Sequence, residues 1–142
     1  MADTSAVLQS PQHGMRLSAA NTKFALDLYK LHTSSAAAEN VFMSPLSISV
    51  ALAMTYAGAR GRTSSQMHTV LHFSDVEQEE GQSRIIHEAF SEIQSALNKP
   101  RQRYKLYMAN RLFGDKSYSF LDEFLAAGRK HYGADLAAVD FK

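Results

Sequence analysis

The sequence predicts a mixed α/β (α+β) fold that consists mainly of helices, with strands of one sheet. Apolar residues recur at helical spacing in several segments. A serine-proline pair opens a long uncharged apolar segment, and two strand-like runs flank a further helical segment. With 142 residues, of which 45% are hydrophobic and 20% charged, the chain is long enough for one globular domain of ordinary size.

The first helix is predicted over residues 18–32. Ser18 is a good N-cap residue, and Phe24, Leu28 and Leu31 follow the i, i+4, i+7 spacing of one apolar stripe. Residues 1–16 are expected to be a disordered extension, since residues 1–14 contain neither an apolar stretch of signal-peptide length nor a cluster of arginines. The folded domain is therefore expected over residues 17–142.

The second helix is predicted over residues 45–57, after a short strand-like run at residues 41–43. A serine caps this helix, and Pro45 fits its first position. The helix is apolar almost all round, so we expect it inside the structure. Serine, proline and glycine interrupt the uncharged run at residues 41–59, which is predicted not to cross a membrane. A capping box from Thr63 to Gln66 predicts a third helix that ends near Leu71.

The second half of the chain predicts two helices and two strands. The fourth helix follows a polar loop at residues 74–82, closes at Pro100, and carries an apolar stripe of Ile86, Phe90, Ile93 and Leu97. Residues 104–113 predict a strand with two largely apolar faces, and residues 136–141 predict a second, short strand. Between them, residues 120–132 predict a fifth helix that stops at Gly133.

Charge and composition exclude several functions. Fifteen Lys and Arg residues against fourteen Asp and Glu residues give a formal net charge of +1, too balanced to attract nucleic acid or an acidic membrane. The chain has no cysteine, which excludes disulfides, thiolate metal sites and cysteine nucleophiles. It contains no G-x-S-x-G turn or comparable nucleophile setting, so we expect no enzyme activity and no cofactor.

Two histidines have a spacing that is found in metal sites. His68 and His72 are four residues apart on the predicted third helix, so their imidazoles could face one metal ion. No third ligand lies nearby in sequence, and histidines at the end of a helix also favour the negative end of its dipole. We therefore expect no metal site.

Four basic residues alternate along one segment. In an extended chain, Lys99, Arg101, Arg103 and Lys105 would project from one face and could meet a glycosaminoglycan. The same charges also discourage strand pairing at a sheet edge. Polyanion binding by this segment is thus an alternative hypothesis, which predicts salt-dependent retention on heparin.

Three polar residues are predicted in apolar surroundings. Asn110 interrupts an apolar strand, and a buried amide must find hydrogen-bond partners. Ser44 and Ser47 raise the same requirement at the start of the second helix. These residues indicate a specific polar network in the interior.

Two blocks of sequence resemble the serpin family. Residues 40–67, NVFMSPLSISVALAMTYAGARGRTSSQM, are similar to the family pattern through its second and third helices. Residues 106–141, from LYMANRLFG to YGADLAAVDF, resemble the strand, helix and strand that follow. The opening LSAANTKFALDL at residues 17–28 is similar to the ovalbumin-type branch. The resemblance covers residues 17–142 and implies the N-terminal part of the serpin fold, including strands of its large central sheet.

The resemblance implies a serine-protease inhibitor of the suicide-substrate type for the full-length parent. In this family a protease cleaves a mobile reactive-centre loop, which then inserts into the large sheet. The resemblance implies a role in sheet opening for Ser44 and Ser47, and makes Asn110 a supporting contact. The loop and its scissile bond lie in the C-terminal part of the family fold. This chain is therefore expected to be a fragment that does not inhibit and that self-associates through exposed strand edges.

Two further questions stay open at the level of sequence. A non-inhibitory binding or storage protein of the serpin fold fits the same residues. Serine proteases are expected as partners of the full-length parent only. The lack of cysteine and of a leader-like segment favours the cytoplasm, and an extracellular location without a cleaved signal peptide is the alternative.

Overall fold

The computed structural model describes residues 4–35, 40–77, 83–100, 102–103 and 106–142. Within these residues the chain forms five α-helices, one short 3-10 helix and a two-stranded sheet, which confirms the mixed α/β class. The elements in chain order are α1 (Thr4–Ser35), α2 (Pro45–Gly58), α3 (Gly61–Val70), the 3-10 helix (Phe73–Asp75), α4 (Ser83–Asn98), β1 (Leu112–Asp115), α5 (Asp122–Tyr132) and β2 (Leu136–Val139).

The core lies between α1, α2 and α4, and the turn around the 3-10 helix closes it. Each helix contributes one apolar face. In α1 the predicted stripe holds for Phe24 and for the partly buried Leu28, whereas Leu31 is 69% exposed. Phe73 of the turn and Phe90 of α4 are fully buried, with ring centroids 6.1 Å apart in an edge-to-face arrangement. The other buried members of this core are Leu17, Ala20, Phe24, Val50, Ala53, Tyr56, Leu71, Val76, Ile86 and Ala89.

The first helix begins earlier than predicted. The carbonyl of Ser18 accepts a 2.9 Å hydrogen bond from the Thr22 hydroxyl, so Ser18 lies inside α1 and does not cap it. The structure places residues 4–16 in this helix rather than in an irregular extension. The predicted N-cap at Ser18 is therefore wrong. A domain boundary at residue 17 stays a prediction.

The second helix occupies the predicted residues, but only one of its faces is fully covered. Ser44 precedes α2 in an extended conformation, and Pro45 takes the first helical position. Val50 and Ala53 are buried against the core, whereas Ile48 on another face is 36% exposed. The expectation of an interior helix was too strong, because the described elements pack against one side of α2 more closely than the other.

The third helix does not use the predicted capping box. It begins at Gly61, so Thr63 and Gln66 lie within its first turns, and Arg60 before it makes no side-chain capping bond. Gly61 has a φ of 56°, a conformation that glycine adopts at little cost and that lets the chain turn earlier. The helix ends at Val70, so His72 lies beyond it, in the left-handed conformation with φ 55°.

The fourth helix is confirmed, whereas the strand after it is shorter than predicted. The strand β1 covers only Leu112–Asp115, and residues 106–111 have no regular strand structure. The predicted start at residues 104–105 lies outside the described residues. In place of a neighbouring strand, the Asn98 side chain accepts from the Met108 backbone N–H at 2.8 Å and donates to its carbonyl at 3.4 Å. A single amide therefore holds this segment against the end of α4.

The last three elements form a parallel strand-helix-strand unit. Leu112 pairs with Leu136 and Asp115 pairs with Val139, so β2 ends two residues before the predicted end at Phe141. The fifth helix ends as predicted, since Gly133 adopts a φ of 58° and its N–H bonds to a carbonyl of the last turn. The unit packs against the helical core through α5, which contacts α2 and α4.

Candidate functional site

The two serines that precede and open α2 are paired with each other. The Ser44 hydroxyl accepts from the Ser47 backbone N–H at 3.4 Å, and the two hydroxyl oxygens are 3.1 Å apart. This is an N-cap arrangement, which satisfies one of the free donors at the start of a helix. Ser44 is exposed and Ser47 half-buried, so the polar network predicted for them is local to the cap.

Asn110 lies in a different part of the molecule from these serines. It lines a groove of about 480 Å³ between the C-terminal turns of α4, the segment 108–110 and the end of α5, and neither serine lines this groove. Its amide nitrogen is buried and has no hydrogen-bond partner within the described part of the chain. The structure therefore brings Ser44 and Ser47 together but leaves Asn110 apart. A role for the three in sheet opening stays a prediction.

The groove beside Asn110 is positively charged and contains a second unsatisfied amide. Gln94 of α4 is 8% exposed, and its side-chain nitrogen is buried without a partner. Arg129 and Lys130 of α5 line the groove together with His131, whose pKa is lowered by burial, and none of the described residues that line it is acidic. Buried donors without acceptors are costly, and these two amide nitrogens are covered by protein rather than open to the groove.

A buried histidine-tyrosine pair that the sequence analysis missed lies next to this groove. Nδ1 of His87 lies 2.6 Å from the Tyr132 hydroxyl, and His87 is almost fully buried. Burial, and to a smaller extent the nearby His131, lowers the pKa of His87 to about 4. Burial also raises the pKa of the Tyr132 hydroxyl. Hence His87 is neutral at pH 7 and shares a hydrogen bond with the Tyr132 hydroxyl, whose direction depends on the imidazole tautomer. In the sequence, the position of His87 directly after Ile86, a residue of the predicted apolar stripe, was the available indication that it could be buried.

The two histidines of the metal hypothesis bind different carboxylates. Nε2 of His68 is 3.0 Å from a Glu77 oxygen, while Nε2 of His72 is 2.9 Å from an Asp27 oxygen. Because His72 lies beyond the end of α3, the i, i+4 geometry assumed for the pair does not apply. Among the described residues, no group of three His, Cys, Asp or Glu side chains could hold a metal ion.

A second groove, of about 610 Å³, runs between α2 and α3. Its lining includes Tyr56, Arg60, His68 and Glu77. The Glu77 side chain is nearly buried, and its second carboxylate oxygen has no hydrogen-bond partner in the described chain. Burial raises the pKa of the Tyr56 hydroxyl, while a hydrogen bond from Ser64 opposes this shift. The groove is thus polar, and it is separate from the Asn110 groove.

The basic segment is only partly described. Lys99 and Arg103 are exposed, while Arg101 and Lys105 lie outside the described residues. The alternating face that the sequence suggests for these four residues therefore stays a prediction. None of the described helices is long and apolar enough to cross a membrane.

Large apolar side chains are exposed around the strand-helix-strand unit. Phe113 of β1 is 57% exposed, and Leu121, Tyr107 and Phe141 are more exposed still. The outer edges of the two strands are unpaired within the described residues, because β1 and β2 pair only with each other. Unpaired edges with apolar neighbours can accept further strands. This region can therefore form part of a larger sheet.

The sequence matches one protein family along most of its length. The profile of the family described as "Serpin (serine protease inhibitor)" matches residues 19–142. The leukocyte elastase inhibitor of Bos taurus is 51% identical over 126 residues, which cover 89% of this chain and 31% of the relative. That of Homo sapiens is 46% identical over 127 residues, which cover 89% of this chain and 32% of the relative. The chain thus spans about a third of the length of these curated relatives.

Solved structures agree with the sequence relatives. Emu ovalbumin (Dromaius novaehollandiae) superposes with a TM-score of 0.81 at 33% identity, covering 88% of this chain and 34% of that one. Cleaved kallistatin in complex with heparin gives 0.80 at 31% identity, covering 90% of this chain and 37% of that one. The fold is a partial serpin fold. The chain belongs to the serpin family, and the predicted resemblance to its ovalbumin-type branch is confirmed.

Proposed function

We propose that this chain forms the N-terminal portion of a suicide-substrate inhibitor of serine proteases. The identity of about half of its residues to leukocyte elastase inhibitors carries the proposal. In such an inhibitor a protease cleaves the reactive-centre loop, and the loop inserts as a strand into the large sheet. The serine proteases that this inhibitor traps are expected to include those of elastase type.

The proposed contribution of this chain is the part of the scaffold that opens and receives the loop. The unpaired edges of β1 and β2 are suited to continue into a larger sheet. Ser44 and Ser47 cap α2, and the resemblance assigns them to the point where that sheet opens. We propose that Asn110 supports the same sheet from the strand segment before β1. None of these residues would touch the protease, and the chain has no catalytic role.

The chain on its own is proposed to be non-inhibitory. The resemblance puts the reactive-centre loop in the C-terminal part of the family fold, and the 126 matched residues of this chain correspond to 31% of the bovine relative. A chain that exposes Phe113 and Leu121 beside unpaired strand edges should self-associate instead. Sedimentation velocity should show species that grow with concentration, and Phe113→Lys should reduce them. A concentration-independent monomer would contradict self-association.

A chimera tests the inhibitory role directly. Residues 17–142 of this chain, joined to the remainder of the Bos taurus relative, should form a complex with a serine protease of elastase type. That complex should survive denaturing electrophoresis, because the trapped protease stays covalently bound. The full bovine protein is the positive control, and this chain alone is the negative control.

The same chimera separates the two functional alternatives. A chimera that folds but is cleaved without trapping the protease would favour the alternative, a non-inhibitory serpin-fold protein for binding or storage. Ser44→Ala and Ser47→Ala in the chimera should shift the balance from trapping toward cleavage. Unchanged trapping in both variants would remove these serines from sheet opening.

Two finer proposals concern partners and location. The similarity to kallistatin, which was solved with heparin, supports glycosaminoglycan binding at the basic segment as a second partner. Retention on heparin should fall when Lys99, Arg101, Arg103 and Lys105 are all changed to alanine, and equal retention would exclude glycosaminoglycan binding by this segment.

We propose a cytoplasmic location, with an extracellular one as the alternative. Fractionation of cells that express the natural gene distinguishes them.

A further inference from the structure

We propose that the contact between α4 and α5 is a pH-sensitive switch, which releases the strand-helix-strand unit from the helical core when the buried imidazole of His87 is protonated. The unit consists of β1, α5 and β2, which stay together when they are released. Such a switch is independent of protease inhibition, because it requires only elements that this chain contains.

The imidazole of His87 is enclosed by aromatic rings where three helices meet. The residue is 7% exposed, and its Nδ1 lies 2.6 Å from the Tyr132 hydroxyl of α5. The ring centroid of Tyr56 in α2 is 6.1 Å from the imidazole centroid, and that of His131 in α5 is 5.8 Å from it. A proton added to this imidazole would therefore place a positive charge where water cannot solvate it well.

The groups around this imidazole supply no negative charge to balance a positive one. The described carboxylates that pair with histidines do so elsewhere, at His68 and His72. The neighbour that acts on the charge of His87 is His131, a second imidazole, whose own protonation adds repulsion. The charged side chains that act on His131 in turn are Lys130, Glu88 and Arg84. Two of these three are cations, and the Glu88 carboxylate is 3.4 Å from the Arg84 guanidinium.

Proton linkage therefore favours release of the unit in acid. Burial, and to a smaller extent His131, holds the pKa of His87 at about 4 in the docked state, against an ordinary value of 6.5. The released state binds the proton more readily, so release becomes more favourable as the pH falls from 6.5 toward 4. Between pH 7 and pH 5 the ratio of released to docked chains should rise roughly twentyfold.

The strand-helix-strand unit can separate on its own because the rest of the chain encloses little of it. No residue of α5 is fully buried, whereas α1, α2 and α4 close a core around Val50 and Phe90. The pairing of β1 with β2 lies inside the unit and is kept on release. Hydrogen bonds between Asn98 and Met108 keep the preceding segment attached to α4. Local opening of this kind costs less free energy than unfolding of the whole chain.

Native-state hydrogen exchange on the 142-residue chain, measured by nuclear magnetic resonance at pH 7 and pH 5, tests the switch. After correction for intrinsic exchange rates, the opening constant of the α5 amides should be roughly twentyfold larger at pH 5 than at pH 7. At both pH values the amides of Val50 and Phe90 should be protected at least about tenfold better than those of α5. Equal protection of α5 and the core at pH 5 would overturn the proposal, because the whole chain would then open together.

Two histidine variants test whether His87 is the responsible group. His87→Asn keeps an amide at the position of Nδ1 and should abolish the rise in α5 opening between pH 7 and pH 5. His131→Gln is the matched control, because it removes the neighbouring imidazole and leaves His87 buried, so it should retain most of the rise. A rise that persists in His87→Asn, or that disappears in His131→Gln, would overturn the assignment.

If His87→Asn does not fold, the imidazole signals of His87 in the unmodified chain provide a second measurement. The protonated form of His87 should appear in step with the opening of α5 as the pH falls. A protonated His87 in chains whose α5 amides keep their full protection would overturn the proposal.

Discussion

The helical core and the strand-helix-strand unit differ in how fully the described residues bury their apolar side chains and pair their backbone groups. In the core, α1, α2 and α4 bury Phe24, Val50 and Phe90 against one another. In the strand-helix-strand unit no residue of α5 is fully buried, and Phe113 of β1 is largely exposed. Helices satisfy their own backbone hydrogen bonds, so three of them can close a core within one chain segment. A strand needs neighbours for the same purpose, and among the described residues β1 and β2 pair only with each other.

This difference has a functional meaning in a serpin. A family that works by accepting a new strand into its sheet needs strands whose pairing can change. Under the proposed function, the helical core would support the sheet, and the unpaired strand edges would be the part to which a further strand is added. Four measurements can test this contrast between the two regions.

The largest effect is expected for a pair of phenylalanine truncations. Phe90→Ala removes a fully buried ring from the helical core and should lower the free energy of unfolding by about 3–5 kcal/mol. Phe113→Ala removes a ring that is 57% exposed and should cost less than about 1 kcal/mol. Urea unfolding followed by circular dichroism measures both. Similar losses would show that the strand-helix-strand unit is as tightly packed as the core.

The second effect concerns pH at the junction of the two regions. His87 has its pKa lowered to about 4 in the folded chain, against an ordinary value of 6.5. Between pH 6.5 and pH 4 the imidazole of His87 is protonated in the unfolded chain but not in the folded one. The free energy of unfolding therefore falls as the pH falls through this range. Between pH 7 and pH 5 the loss from this group should be roughly 2 kcal/mol.

The variant His87→Asn should remove that part of the pH dependence. Its amide lies where Nδ1 of the imidazole lies and can still hydrogen-bond with the Tyr132 hydroxyl, so the contact between α4 and α5 is kept. His13→Leu, which removes a histidine outside this contact, should retain the pH dependence of the natural sequence. The slope of the unfolding free energy against pH is the measurement. A slope that is equal in all three proteins would show that His87 is not the responsible group.

The third effect tests close packing within the strand-helix-strand unit. A methyl group on Gly114 would collide with the ring of Phe120, so Gly114→Ala should cost about 1–3 kcal/mol. Gly14→Ala is the matched control, because a methyl group there meets open space. It lies within α1, so it should be neutral or stabilising. The midpoints of thermal unfolding distinguish the two. An unchanged midpoint for Gly114→Ala would mean that Phe120 moves without cost.

The smallest effect distinguishes the two predicted helix caps. Ser44→Ala removes the hydroxyl that accepts from the Ser47 N–H and should cost about 1 kcal/mol. Thr63→Ala should cost little or stabilise the chain, because Thr63 lies inside α3 and alanine is the better helix former. Urea unfolding measures this difference too. A larger loss of unfolding free energy for Thr63→Ala than for Ser44→Ala would support the capping box that the sequence suggests.

Sequence patterns correctly predicted those structural features that depend on a few neighbouring residues. The spacing of Ile86 and Phe90 determined both the fourth helix and its buried face. Ser44 and Pro45 determined the start of α2, and Gly133 determined the end of α5. Each of these depends on a few neighbouring residues, whose conformational preferences are strong. The two family blocks also depend only on residue identity and order, which is why the family could be inferred at once.

The failures concern features that distant contacts decide. The predicted strand at residues 104–113 is apolar on both faces, yet of its described residues, 106–113, only Leu112 and Phe113 pair with β2. The groove was missed because Gln94 and Asn110 are sixteen positions apart in sequence. Only the packing of α4 against the segment after it brings the two amides to one cavity.

By itself, the sequence determined the helices, their buried faces, the fold class and the family of this chain. Their causes are local: side-chain periodicity, the hydrogen-bonding capacity of cap residues, and the conformational freedom of glycine. The tertiary structure alone decided how far the strands pair, that His87 meets Tyr132, and that two unsatisfied amides share a groove. These features depend on which surfaces meet, and free energies of burial and hydrogen bonding between distant residues determine that.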